Sequence, residues 1–253
     1  MITDSFINEK AMIEPSYNAF TGIELPVMIG VFNFQVIQKL KNEGLIEQIA
    51  EKVIGNIDRY YEFYRFKDTN IGVYQNMVGA PAASSLLEAI THLFHTKKFI
   101  VYGSCGCLVD IPEGDLIIPT DAYRDEGVSY HYAKPQDYNT IKNAGVLESF
   151  FQSKQIPFVS GKVWTTDAFF RETKTEVDRH IQEGCVCVDM ECAALQAVCD
   201  YRGYEFYTFF YTADSLANTE WEGRILTGKE TETHIGNINF EVALEFAKKL
   251  MEQ

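Results

Sequence analysis

Apolar residues along this chain fall into short unbroken runs separated by stretches with a helical rhythm. Leu25 to Val31, Gly72 to Val78, Phe99 to Tyr102, Leu116 to Ile118, Phe158 to Val163, Cys185 to Val188 and Phe206 to Thr212 have the character of strands buried on both faces. Helical spacing appears in Ser84 to His95 (Leu86, Leu87, Ile90, Leu93, Phe94), in Glu191 to Tyr201 (Ala194, Leu195, Val198) and in Phe240 to Met251 (Val242, Leu244, Phe246, Leu250). Alternating strands and helices predict an α/β fold, a three-layer sandwich around a mainly parallel, mixed central sheet. No repeat, low-complexity tract or Pro/Gly/Ser linker marks a boundary, so residues 1–253 read as a single domain. In such sheets ligands collect at the carboxyl ends of the strands, and functional residues are expected just after them.

Composition narrows the partners. The 36 acidic side chains outnumber 22 basic ones, for a formal charge of -14, which opposes nucleic acid and anionic membrane surfaces and favours a small molecule. A phosphate anion would need a local cluster of Arg, Lys or backbone N–H groups to capture it against that field. The first residues lack a basic stretch followed by an apolar run, and no stretch reaches the roughly 18 apolar residues of a membrane span, so a cytoplasmic protein is expected. Six cysteines in this setting read as reduced, buried thiols, because the C-x-C spacings of Cys105/Cys107 and Cys185/Cys187 do not match zinc pairs.

The candidate chemistry clusters after the predicted strands. Gly103-Ser104-Cys105-Gly106 follows Phe99 to Tyr102 and reads as a turn whose glycines let a ligand approach the backbone, or as an ordinary Gly-rich turn. Gly114-Asp115-Leu116-Ile117-Ile118 and Arg124-Asp125-Glu126-Gly127-Val128-Ser129-Tyr130-His131-Tyr132 come next. Val188-Asp189-Met190-Glu191-Cys192-Ala193-Ala194-Leu195 runs from a strand into a helix, where the dipole would hold Glu191 ionised as a hydroxyl acceptor or as a helix cap. Thr165 to Phe170 offers two aromatic rings, and Tyr211-Thr212-Ala213-Asp214-Ser215 places a carboxyl at a strand end.

Together these segments resemble the nucleoside phosphorylases, the family that includes uridine phosphorylase, purine nucleoside phosphorylase and the nucleosidases. The resemblance spans about Leu25 to Ser215 and implies the phosphorylase/hydrolase-like version of the fold. It implies that Glu191, with Asp189 beside it, binds the ribose 2′- and 3′-hydroxyls and that Met190 packs on the sugar. Phe169, with Phe170 next to it, would stack on the base, and Gly30, Ser104, Cys105 and Gly106 would line the substrate site. Asp214 matches the general acid of the purine branch, which protonates N7 so that the base can leave. Arg224 matches the arginine that assists it, although Trp221-Glu222-Gly223 departs from the family pattern. Base stacking and protonation need no cofactor or metal, and phosphate is the expected co-substrate. A dimer-based homo-oligomer, up to a hexamer, is implied as well.

Two departures bear on phosphate. Phe34 and Val101 stand where the family places arginines, and Arg59 or Arg65 would have to supply the one lent by a neighbouring subunit. Bidentate guanidinium contacts are the strong ones for phosphate. Phosphorolysis of a purine-type nucleoside is nevertheless the first expectation from the resemblance. A hydrolytic nucleosidase, with Gln35 where hydrolases carry a glutamate, is the second, and a catalytically weak nucleoside-binding or sensing protein is the third.

Overall fold

A computed structural model describes residues 1–53 and 60–252. Its strands are β1 (Val27–Val31), β2 (Ile46–Val53), β3 (Tyr60–Phe66), β4 (Ile71–Gln75), β5 (Lys98–Cys107), β6 (Leu116–Asp125), β7 (Tyr138–Thr140), β8 (Val159–Thr166), β9 (Cys185–Asp189) and β10 (Glu205–Ser215). The helices are α1 (Phe34–Asn42), α2 (Ala80–Phe94), α3 (Ser129–Tyr132), α4 (Ala144–Ser153), α5 (Lys174–Gln182), α6 (Cys192–Arg202) and α7 (Lys229–Met251). All seven apolar runs are strands and all three periodic stretches are helices.

One ten-stranded sheet runs in the order β10-β6-β8-β9-β5-β1-β4-β3-β2, with β7 on β6 and a further pairing of β10 with β5. That last pairing closes β5, β10, β6, β8 and β9 on themselves. The inner pairings β4–β1–β5–β10 are parallel, as are β6–β8 and β8–β9, whereas β2–β3–β4 form an antiparallel extension. Closure matters to function because Gly106 of β5 pairs on one side with Asp214 and on the other with Val188. Residues over a hundred positions apart in sequence therefore share one strand end.

Helices cover both faces. Tyr102 stacks on Phe209 with 5.4 Å between ring centroids and donates its hydroxyl to Gly236 O of α7, while Phe151 of α4 meets Phe209 from the same layer. Tyr74 faces the other way, toward Cys199 of α6, and Phe94 of α2 packs on Phe63 at 5.1 Å. Trp164 and His180 stack at 4.4 Å in a satellite cluster beneath α5.

Two differences from the sequence expectation have physical causes. Gly103 to Gly106 is a continuation of β5 rather than a turn, because β10 supplies hydrogen-bonding partners along its whole length. The β2–β3 hairpin carries no strand pattern in sequence, because the apolar residues of β2 (Ile46, Ile49, Ala50, Val53) fall at helical spacing and Glu62 and Arg65 interrupt the aromatic run of β3. No helix among the described residues is long and apolar enough to cross a membrane.

Candidate active site

Glu191 sits between β9 and α6, only 8% exposed, and its Oε1 accepts from the backbone N–H of Gly79. It does not cap α6. That task falls to Asp189, whose Oδ2 accepts from the N–H groups of Glu191 (3.0 Å) and Cys192 (2.7 Å), while its Oδ1 accepts from Thr165 Oγ1 at 2.6 Å. Thr165 Oγ1 accepts in turn from Ala193 N. Asp189 is therefore a support with its lone pairs engaged, and Glu191 is left to face a ligand. Burial pushes both carboxyls up, and Glu191 goes further, to about 8, because the charge of Asp189 lies behind it and fewer donors hold it ionised. The helix dipole does not keep Glu191 ionised, since the α6 amides are already taken by its neighbour.

Across Gly106, Asp214 is half-buried at the end of β10. Trp221 Nε1 donates to its Oδ2 at 2.7 Å, held there by a pair of backbone hydrogen bonds between Ser215 and Glu222. Burial raises the Asp214 carboxyl, and the Trp221 N–H and the Arg224 charge oppose that rise. Arg224 itself donates to Ile111 O at 2.9 Å and pairs with Glu222 at 3.5 Å, so it acts on Asp214 through space and makes no hydrogen bond to it. Glu172, which the motifs did not single out, belongs to this end of the site. Burial raises its carboxyl to about 7, and the next contribution comes from Asp214. One acidic residue in the polar stretch Arg171-Glu172-Thr173-Lys174 carries no signal in sequence.

Phe169 and Phe170 form a short 3-10 turn after β8, their ring centroids 3.8 Å apart. Phe169 is 48% exposed and Phe170 88%. Neither ring is a core aromatic. Met190 is half-buried between Asp189 and Glu191.

Around the ends of β1 and β4, none of the described residues that the resemblance singled out brings a cation. Gly103 leaves room for the Phe32 ring, since a Cβ there would lie 2.8 Å from Phe32 Cδ2, and a Cβ on Gly30 would lie 2.7 Å from the Tyr74 hydroxyl. Ser104 is half-buried and Cys105 buried within the core. Phe34 opens α1 and is 48% exposed, whereas Val101 is 3% exposed. Arg65 donates through Nε to Glu47 Oε1 at 2.8 Å across the β2–β3 ladder. Arg59 lies outside the described residues. The Arg124 to Tyr132 motif folds onto itself: Arg124 is buried, donates to Ser129 Oγ and the Lys134 carbonyl, and stacks on Tyr130, while Glu126 accepts from Val128 and Ser129 N–H. It braces the wall beside β8.

A mixed α/β sheet closed on itself carries raised carboxyls and an exposed aromatic at its strand ends, where α/β proteins collect ligands. The chain belongs to the phosphorylase superfamily, whose family model matches residues 34–250. It is 28% identical over 189 residues to the DeoD-type purine nucleoside phosphorylase of Aliivibrio fischeri, covering 73% of this chain and 77% of that one. Among solved structures it resembles the purine nucleoside phosphorylase of Toxoplasma gondii in complex with immucillin-H, with a TM-score of 0.67 and 18% identity over 91% of this chain and 95% of that one. The futalosine hydrolase of Helicobacter pylori superimposes with a TM-score of 0.68 at 14% identity, covering 87% and 96%. At such identities the likeness to the solved structures is one of fold.

Proposed function

We propose that the chain cleaves the N-glycosidic bond of a purine-type nucleoside. The observation that carries this reading is the pairing of Gly106 with both Asp214 and Val188, which sets a protonatable carboxyl on one side of a strand end and the Asp189–Glu191 segment on the other. Ribose would lie with its 2′- and 3′-hydroxyls on Glu191 and its apolar face on Met190, and the base would lie against Phe169. Asp214 would then give its proton to N7. Breaking the C1′–N9 bond leaves the electron pair on the base, and protonation neutralises that charge as it develops. Arg224 tunes Asp214 electrostatically from its place on the Ile111 carbonyl.

Water is the acceptor that the strand ends favour, because Phe32, Phe34 and Val101 offer no charge and Arg65 is engaged by Glu47. Phosphorolysis is the second reading. It is favoured by the printed names of the relatives and would need Arg59, or an arginine of a neighbouring copy in a dimer-based oligomer, to bring the charge. Release of free base from inosine, adenosine, guanosine and uridine, with and without phosphate, tests both: purine release supports the reading, and no release from any of them rejects it. Size-exclusion chromatography tests the oligomer.

A further inference from the structure

Asn76 lies immediately beyond β4, and its orientation is fixed twice. Its N–H donates to Val31 O at 2.8 Å, extending the β1–β4 ladder by one residue, and its Oδ1 accepts from Met77 N at 2.9 Å. The residue is 4% exposed, and Nδ2 has no acceptor among the described residues. A buried donor left unmatched destabilises the fold, and native structures rarely tolerate one without a use.

The register shows where the donor sits. Gly30 pairs with Tyr74 on one side and with Val101 on the other, so all three face the same way. Two residues further along each strand come Phe32, Asn76 and Gly103, the next layer on that face. Gly103 has no side chain, and the Phe32 ring fills its place. Three residues beyond Asn76, the Gly79 N–H holds Glu191. Asn76 thus shares a layer with Phe32 and Gly103 and lies three residues before the glycine that holds Glu191.

We propose that Asn76 Nδ2 holds the oxygen of an attacking water molecule, making this chain a nucleoside hydrolase; the assignment rests on the glycosidic-cleavage reading above. One neutral amide suits a neutral oxygen, whereas a phosphate dianion needs charged donors. In the reaction the water oxygen bonds to C1′ and the C1′–N9 bond breaks with its electron pair passing to the base. Asp214 protonates the base, and the proton lost by the water passes through solvent to restore Asp214.

The test begins with the unaltered protein: purine release should be independent of millimolar phosphate and should yield free ribose. Asn76→Leu keeps the volume and removes the amide, so kcat should fall about tenfold to a hundredfold, the range of a misplaced reactant, with KM little changed. The substitution deletes an unmatched donor but also the acceptor of the Met77 N–H, so the two effects oppose and the melting temperature should change little. Phosphate-dependent formation of ribose 1-phosphate would overturn the water assignment while leaving glycosidic cleavage intact. A wild-type kcat in Asn76→Leu, or a loss of stability with kcat and KM worsening together, would overturn the role of Asn76. Absence of base release from the unaltered protein would remove the underlying reading and this proposal with it.

Discussion

The indole N–H of Trp221 points at Asp214 Oδ2 across 2.7 Å, while Arg224, the arginine that the resemblance sets beside this carboxyl, donates to Ile111 O instead. The hydrogen bond favours the ionised carboxyl, burial favours the neutral one, and burial is the larger. As a general acid Asp214 works while protonated, so activity on purine nucleosides should fall as pH rises through its raised pKa. Trp221→Phe removes the donor that favours ionisation and should move the alkaline limb of kcat/KM to higher pH. Asp214→Asn should lower turnover by about a hundredfold or more, the usual worth of a general acid. An unshifted limb in Trp221→Phe would separate the tryptophan from the chemistry.

Glu191 gives a second pH signature, with two parts of opposite consequence. The ionised carboxylate accepts both ribose hydroxyls, so KM should fall as pH rises toward about 8 and level off above it. For stability the sign is reversed. A carboxyl whose folded pKa lies above its unfolded one contributes most below the unfolded value, and that contribution is lost as pH climbs to the folded value. Glu191→Gln should therefore raise the melting temperature at pH above about 8, with little gain near pH 4, while weakening ribose-dependent binding most at pH above about 8, where the wild-type carboxylate is ionised. Equal melting shifts at both pH values would contradict the buried, raised carboxyl.

How much of this was legible without coordinates depended on the kind of signal. Phe99 to Tyr102 and Phe206 to Thr212 are legible as strands because both of their faces are buried, and Asp214 and Glu191 are legible because they follow such runs inside motifs that resemble the family's. The division of labour between Asp189 and Glu191 was not legible. Two acidic residues at a helix start are interchangeable in sequence, and only the path of the backbone decides which one meets the α6 amides. Trp221 was noticed as a departure from pattern, but the Ser215–Glu222 pairing that turns it back onto Asp214 is a long-range backbone event. Asn76 gave no sign, since an asparagine after a strand reads as a turn residue until its amide is seen to be buried and unmatched.

Thr165 tests the support beneath Glu191. Its hydroxyl donates to Asp189 and accepts from Ala193 N, tying the end of β8 to the start of α6. Thr165→Val keeps the shape and deletes both bonds, which should cost about 1–3 kcal/mol of stability for the buried groups left behind. With Asp189 less firmly held, KM for ribosides should rise more than kcat falls. Denaturant unfolding beside steady-state kinetics reads both quantities.

The two phenylalanines after β8 can be told apart by affinity. Phe169 is half-covered and Phe170 almost wholly exposed, so Phe169 is the ring that the protein already holds in place as a platform for a base. Phe169→Ala should weaken nucleoside binding by about 1–3 kcal/mol, the worth of one base–aromatic stack, and Phe170→Ala by much less. Calorimetric titration of a non-cleavable nucleoside into each variant makes the comparison; the reverse order would transfer the stacking role to Phe170.

Phe34 offers the sharpest test of why the acceptor side is neutral. It is the first residue of α1, is 48% exposed, and stands beside N–H groups at the helix start, so a longer polar side chain can be accommodated without disturbing the core. The helix already contributes a partial positive charge there, and what the site lacks for a phosphate dianion is a fixed cation. Phe34→Arg should supply one, and a charge-assisted contact worth about 1.5–3 kcal/mol would make base release respond to phosphate, with some sugar product appearing as ribose 1-phosphate. Val101→Arg is the poorer choice, because Val101 is 3% exposed in the centre of the sheet and a guanidinium there would be buried without a partner. If Phe34→Arg leaves the rate indifferent to phosphate while the protein remains folded and active, charge alone does not decide the acceptor, and the Phe32 ring packed over Gly103 becomes the element that excludes phosphate.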